Sequence, residues 1–306
     1  MSVATLTINP ALDKSTSVQE VISADKMRCT SPVFEAGGGG INVSRVIHRL
    51  GGRSKAIFQS SGPSGNYIQQ ALQKEGLDVE VFTTKEWTRE NFIVTEESTQ
   101  KQFRFGMPGP SLTEAELQDC ITLVKEHASS HEFLVLSGSL PPNVPTGFYV
   151  TLCTWAKAKG IKTILDTKGP ALKAALAEGV YLVKPNLKEL GELVGEVGIT
   201  EERAHEIAKE IIEKKQAQLV VVSLGEKGAM MVSSEGVAIL KSPKIEVKSA
   251  VGAGDSMVAG LVYALQERKS NLEVLKYGVA CGTAAAITAG TELCKKQDVL
   301  TVLEHL

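Results

Sequence analysis

Phe133-Leu-Val-Leu-Ser-Gly-Ser-Leu-Pro-Pro-Asn-Val-Pro-Thr-Gly-Phe-Tyr-Val-Thr-Leu-Cys-Thr-Trp-Ala-Lys-Ala-Lys-Gly-Ile-Lys-Thr-Ile-Leu-Asp166 carries the fold in one unit. Residues 133–137 are an uninterrupted apolar run, 147–159 place apolar residues at helical spacing, and 163–166 are apolar again. A strand covered on both faces has no solvent side and therefore does not alternate, so strand, helix and strand here read as a βαβ unit with parallel strands. The rhythm continues in both directions. Strands are expected at 4–8, 55–59, 181–184 and 219–223, and helices at 41–50, 114–127, 201–215 and 256–268. The fold class is α/β, a mostly parallel sheet between helical layers.

Two stretches break the rhythm. Residues 14–34 and 81–105 are polar and rich in Thr, Val and Glu, as in Thr88-Arg-Glu-Asn-Phe-Ile-Val-Thr95 and Gln102-Phe-Arg-Phe105. They read either as ordinary surface hairpins or as a small β-lid over the mouth of the main sheet. The second reading divides the chain into a core of 1–13, 35–80 and 106–306 and a discontinuous lid of 14–34 and 81–105. Val18, Val21, Ile22, Phe92, Val94, Phe103 and Phe105 would form the lid's apolar face.

The composition bounds the function. In 306 residues there are 35 acidic and 33 basic side chains, with 43% hydrophobic and 5% aromatic residues. That balance excludes a dedicated nucleic-acid or membrane-surface binder, which would show a basic stripe. No apolar stretch reaches the roughly 18 residues of a membrane span. Residues 1–10 show no basic stretch followed by an apolar run, so no secretory signal is expected. Cys29, Cys120, Cys153, Cys281 and Cys294 are scattered, with no Cys-x-x-Cys pair. They read as buried thiols in a cytoplasmic, reducing setting.

Two glycine clusters stand before helices. Gly37-Gly-Gly-Gly40 precedes the periodic 41–50. Four glycines are costly in chain entropy, which favours close approach of a ligand to the backbone over a merely flexible turn. Val251-Gly-Ala-Gly-Asp255 opens the apolar helix that begins at Ser256. An Asp at a helix start is often only a cap. Here the glycines would aim successive N–H groups at one point, an anion nest at the positive end of a helix. A carboxylate beside that nest suits phosphoryl transfer: it takes an alcohol proton while the nest holds phosphoryl charge. There is no Gly-x4-Gly-Lys-[Ser/Thr], no completed dinucleotide glycine pattern, and Ser137-Gly-Ser139 runs into Leu140-Pro141 rather than a helix. These absences disfavour a P-loop enzyme, a dehydrogenase and an α/β-hydrolase.

Taken with Asn9-Pro-Ala-Leu-Asp13, Lys184-Pro-Asn-Leu-Lys-Glu189 and Ser223-Leu-Gly-Glu-Lys-Gly228, these motifs resemble, in order along the chain, the ribokinase-like (PfkB) family of carbohydrate kinases. The resemblance implies a three-layer α/β/α core with a β-sheet lid. Lys26-Met-Arg-Cys-Thr-Ser-Pro-Val-Phe34, Trp87-Thr-Arg89 and Phe103-Arg-Phe-Gly-Met-Pro108 are similar to the 6-phosphofructokinase branch. In the 1-phosphofructokinase and tagatose-6-phosphate kinase branch a lysine typically stands where this chain has Gly39. The implied activity is ATP-dependent phosphorylation of the 1-hydroxyl of fructose 6-phosphate. Fructose 1-phosphate or tagatose 6-phosphate as acceptor, or a sugar-phosphate or nucleotide sensor without catalysis, are the alternatives.

The resemblance implies roles residue by residue. Asp255 is the base, with the amides of Gly252, Ala253 and Gly254 as the anion hole. Asp13, Gly38, Gly39, Asn42 and Ser139 hold the sugar. Lys26, Arg28, Arg89 and Arg104 lie in or beside the lid. A lone surface arginine is usually only solvated, but the three arginines as a cluster match phosphate oxygens of a phosphorylated substrate. Lys184, Asn186, Ser223, Gly225 and Gly228 bind ATP. Asn186, Glu189 and Asp166 organise magnesium, mostly through water, although Asn-x-x-Glu is also a common helix opening. Where relatives carry Asp-Thr, this chain has Ser249-Ala250; with residues 286–291 that region would carry potassium. The lids are expected to pair in a homodimer.

Overall fold

The computed structural model describes residues 2–245, 247–249, 251–288 and 292–306. The chain opens with β1 (Val3–Thr7), β2 (Ala11–Val18), β3 (Val33–Gly37), α1 (Gly39–Leu50), β4 (Ser54–Gln59), α2 (Gly62–Lys74) and β5 (Asp78–Phe82). It continues through β6 (Arg89–Glu96), β7 (Gln102–Phe105), α3 (Glu114–Ala128), β8 (Phe133–Ser137), α4 (Phe148–Ala158), β9 (Lys162–Asp166), α5 (Gly169–Ala177) and β10 (Val180–Val183). The last part holds α6 (Leu187–Val194), α7 (Glu201–Glu213), β11 (Ala217–Ser223), β12 (Ala229–Ser233), β13 (Gly236–Leu240), α8 (Ala253–Gln266), α9 (Asn271–Ala286) and α10 (Lys296–Leu303).

The continuous apolar runs become the middle of a nine-stranded sheet of order β13-β12-β11-β10-β9-β8-β1-β4-β5. Every pairing from β11 to β5 is parallel; β12 and β13 add an antiparallel hairpin at one edge, which the sequence rhythm did not announce. β8 shows why its sequence does not alternate. Leu134 and Leu136 pack into a cluster with α3, α4, α5 and α7, while Phe133 and Val135 pack into another with α1, α8 and α9. Both faces are covered, which is the three-layer arrangement expected. Among the described residues no helix is long and apolar enough to cross a membrane.

The two polar stretches meet in a second, four-stranded sheet of order β3-β2-β6-β7. Its bounds differ from the segments read in the sequence. β2 already starts at Ala11 and β3 runs to Gly37, whereas Val81 and Phe82 end β5 in the main sheet. The register places Phe34, Lys14, Phe92 and Phe105 in one row, hence on one face, and Glu35, Asp13 and Asn91 on the other. Val18 is buried rather than part of an open apolar face. Phe92 and Phe105, both expected on the apolar face, are 42% and 52% exposed, Val94 and Phe103 share their face by register, and Phe34, not expected there, is exposed in the same row beside Tyr67.

Candidate active site

Parallel strands deliver their C-terminal ends to one edge of the sheet, where open α/β sheets take their ligands. Ser137 ends β8, Asp166 ends β9, Lys184 follows β10 and Ser223 ends β11, bridged to Asn186. A cleft of about 240 Å³ opens there, lined by Gly39, Ser137, Gly138, Ser139, Asp166, Glu189 and Asp255. Thr167 and Lys168 line it as well; the sequence reading missed both, because neither belongs to a motif it singled out.

The helix starts of α1 and α8 are brought together beside this cleft. α8 begins at Ala253, earlier than its apolar pattern suggested, with Gly252 as a left-handed N-cap. Asp255 therefore lies in the first turn of α8, where N–H groups lack intrahelical acceptors. Its Oδ2 accepts a hydrogen bond from Nδ2 of Asn42, on α1, at 2.8 Å. Desolvation of its half-buried site raises the Asp255 carboxyl to about 6, and the neighbouring Asp166 carboxylate pushes the same way. The Asn42 hydrogen bond and the Lys184 charge oppose the rise without cancelling it.

Lys184 Nζ, only 5% exposed, pairs with Asp166 Oδ1 at 3.2 Å. Burial alone would lower its pKa, but the carboxylates of Asp166, Glu189 and Asp255 outweigh that and raise it. The ammonium lies beneath Gly254 in the first turn of α8. Asp166 also receives the Ser137 hydroxyl on Oδ2 at 3.4 Å. Asn186 and Glu189 close a capping box at the start of α6: Asn186 Oδ1 accepts from Glu189 N at 2.8 Å, and Glu189 Oε2 accepts from Asn186 N at 3.0 Å. The common helix opening is thus realised, with Glu189 still facing the cleft. Gly225 and Gly228 bound the turn that joins β11 to β12.

The glycine run has a packing cause that the sequence reading did not see. Gly38 sits at φ 130°, and a Cβ there would meet Thr7 Cγ2 at 2.6 Å. A Cβ on Gly39 would run into the Ser137 hydroxyl, and one on Gly37 into the Asp13 carboxylate. Close approach of backbone to strand ends, as well as to any ligand, demands glycine.

The lid carries the remaining expected residues. Asp13 Oδ1 accepts from Asn91 Nδ2 at 2.8 Å. Burial raises its pKa, against the hydrogen bond and the nearby Arg89 and Arg104 charges. Arg104 is exposed on the same face of the sheet as Asp13. Arg89 is placed differently from expectation: its guanidinium donates to the carbonyls of Asn9 (3.1 Å), Pro10 (3.3 Å) and Met107 (3.0 Å). These carbonyls lie where the chain enters and leaves the small sheet, so Arg89 ties the lid crossings together. Lys26 and Arg28 are exposed on the β2–β3 connection and do not line the cleft. Ser139 accepts a long hydrogen bond from Asn9 Nδ2 at 3.3 Å. Cys29 is exposed, against expectation; the other four thiols are buried. Ala250 and residues 289–291, on which the potassium reading partly rests, lie outside the described residues.

A half-buried carboxylate in a helix's first turn, facing a cleft at the carboxyl edge of a three-layer α/β fold, suits phosphoryl transfer to an alcohol. The family model for pfkB family carbohydrate kinases matches residues 6–298, and the chain belongs to that family. It is 42% identical over 303 residues, covering 99% of this chain and 98% of the relative, to ATP-dependent 6-phosphofructokinase isozyme 2 of Escherichia coli (strain K12). Two crystal structures of phosphofructokinase-2 from Escherichia coli superpose on the fold, each covering 99% of this chain and 98% of the other. The one in complex with potassium has a TM-score of 0.95 at 42% identity. The one in complex with fructose-6-phosphate has a TM-score of 0.93 at 41% identity.

Proposed function

We propose that this kinase transfers the γ-phosphoryl group of ATP to the 1-hydroxyl of fructose 6-phosphate, giving fructose 1,6-bisphosphate and ADP. The observation that carries the reading is Asp255 in the first turn of α8, held by Asn42 and lining one cleft together with Gly39, Ser139, Asp166 and Glu189. Asp255 takes the proton of the acceptor hydroxyl as its oxygen attacks phosphorus, and Asn42 orients the carboxylate. The amides of Gly252, Ala253 and Gly254 hold the charge that develops on the phosphoryl oxygens. Asp13, Gly38 and Gly39 hold the sugar, and Arg104, with Arg89, meets its phosphate from the lid. Lys184, Ser223, Gly225 and Gly228 hold the nucleotide.

Asp166 and Glu189 offer the hard oxygen donors that suit magnesium, with Asn186 positioned behind Glu189. Asp166 and Glu189 would hold magnesium there, mostly through water, and the ion would supply charge neutralisation for the phosphates. The Escherichia coli complex with potassium supports a monovalent site in this chain too. Four buried thiols support a reducing, cytoplasmic setting. The exposed row of Phe34, Phe92 and Phe105 supports a homodimer through the lids. The experiment that tests the reading is ADP release on adding fructose 6-phosphate to protein, ATP and magnesium. Turnover with fructose 6-phosphate and none with fructose supports it; binding of both ligands without turnover would make the protein a sensor.

A further inference from the structure

We propose that Lys168 is a further catalytic residue, whose ammonium group binds phosphoryl oxygens of the nucleotide during transfer; the inference rests on the kinase reading above. The cleft is lined by three carboxylates, Asp166, Glu189 and Asp255. A polyphosphate entering such a lining needs cations, and the buried ammonium of Lys184 is already paired with Asp166. Lys168 lines the same cleft and is exposed. Among the described residues no carboxylate is paired with it. A surface lysine is ordinarily only solvated, but the two residues before this one are anchored. Gly138 N donates to Asp166 O at 3.0 Å, and Thr167 Oγ1 donates to Gly138 O at 2.9 Å, so the stretch leading into Lys168 is tied to the end of β8. Lys168 is also the N-cap residue of α5, whose first free amides lie beside it. Its neighbours Asp166 and Glu189 belong to the nucleotide side of the cleft, whereas Arg104 and Asp13 lie on the lid. On the kinase reading the cation is therefore assigned to the donor phosphates, and the phosphate of the acceptor to the lid.

The test is calorimetric binding of ADP and of AMP to the whole protein, with steady-state kinetics, for Lys168→Met and Lys168→Arg. A lost charge-assisted contact corresponds to roughly 10- to 100-fold. Lys168→Met should weaken ADP binding and lower kcat by about that factor. AMP binding and the KM for fructose 6-phosphate should stay within about twofold, and Lys168→Arg should recover most of the loss. Unchanged ADP affinity in Lys168→Met, or an equal loss for AMP and ADP, overturns the assignment while leaving the kinase reading intact. Failure of the native protein to bind ADP at all overturns both.

Discussion

At the scale of single residues, the chemistry rests on how Asp255 is held. Its carboxyl is pushed to about 6 chiefly by burial, so the base is ionised above that pH and protonated below it. kcat/KM should therefore rise with pH through about 6 and level off above. Asp255→Asn should lower kcat by at least about 10²–10⁴-fold and leave fructose 6-phosphate binding within a few-fold. The same shift has a stability cost. A carboxyl whose folded-state pKa is raised is favoured while protonated, so its stabilising effect is complete below about pH 4 and is lost as pH rises through about 6. Ionised Asp255 thus costs on the order of 2–4 kcal/mol at neutral pH. Asp255→Asn should raise Tm at pH 7.5, with the gain shrinking towards pH 4; an inactive variant with an unchanged or lowered Tm would contradict this electrostatic account. This residue was legible in the sequence because its partners, the α8 glycines, are contiguous with it. Lys168 was not, since it belongs to no motif, even though Asp166 two residues before it was read as part of the site.

Among the elements, the start of α1 and the lid crossings govern geometry. Alanine is ordinarily the better helix former than glycine by about 1 kcal/mol. At Gly39 the sign should reverse, because a Cβ meets the Ser137 hydroxyl and Gly138 N at 3.1 Å. Gly39→Ala should destabilise the fold by roughly 1–3 kcal/mol in denaturant unfolding and reduce turnover; a stabilised variant would show that the helix start has room to shift. The two lid arginines should separate in the same way. Arg104→Ala should raise the KM for the phosphosugar about 10- to 100-fold with little change in Tm. Arg89→Ala should also lower Tm, because three carbonyls at the crossings lose their donor. Equal thermal behaviour of the two variants would argue against the tie. The central strands were readable from sequence because burial on both faces makes them continuously apolar. The Arg89 contacts were not, since Asn9, Pro10 and Met107 become its neighbours only once the small sheet is assembled. The β12–β13 hairpin escaped for a related reason: its outer strand alternates and is half-exposed, so it lacks the mark of a central strand.

For the whole molecule, the question is what covers the lid. A small sheet is marginal in water unless its apolar face is buried. Phe92→Asp, on that open face, should shift the proposed homodimer to the 32.7 kDa monomer in light scattering and lower activity in parallel. A fully active native monomer would contradict a lid completed by its partner. The reaction is defined by its acceptor and by the position phosphorylated. ³¹P NMR of a reaction containing ATP, magnesium and fructose 6-phosphate reads both directly. The account predicts fructose 1,6-bisphosphate formed in step with ADP by the native protein and none by Asp255→Asn; turnover confined to another phosphosugar, or bisphosphate formed at a near-native rate by Asp255→Asn, would contradict it.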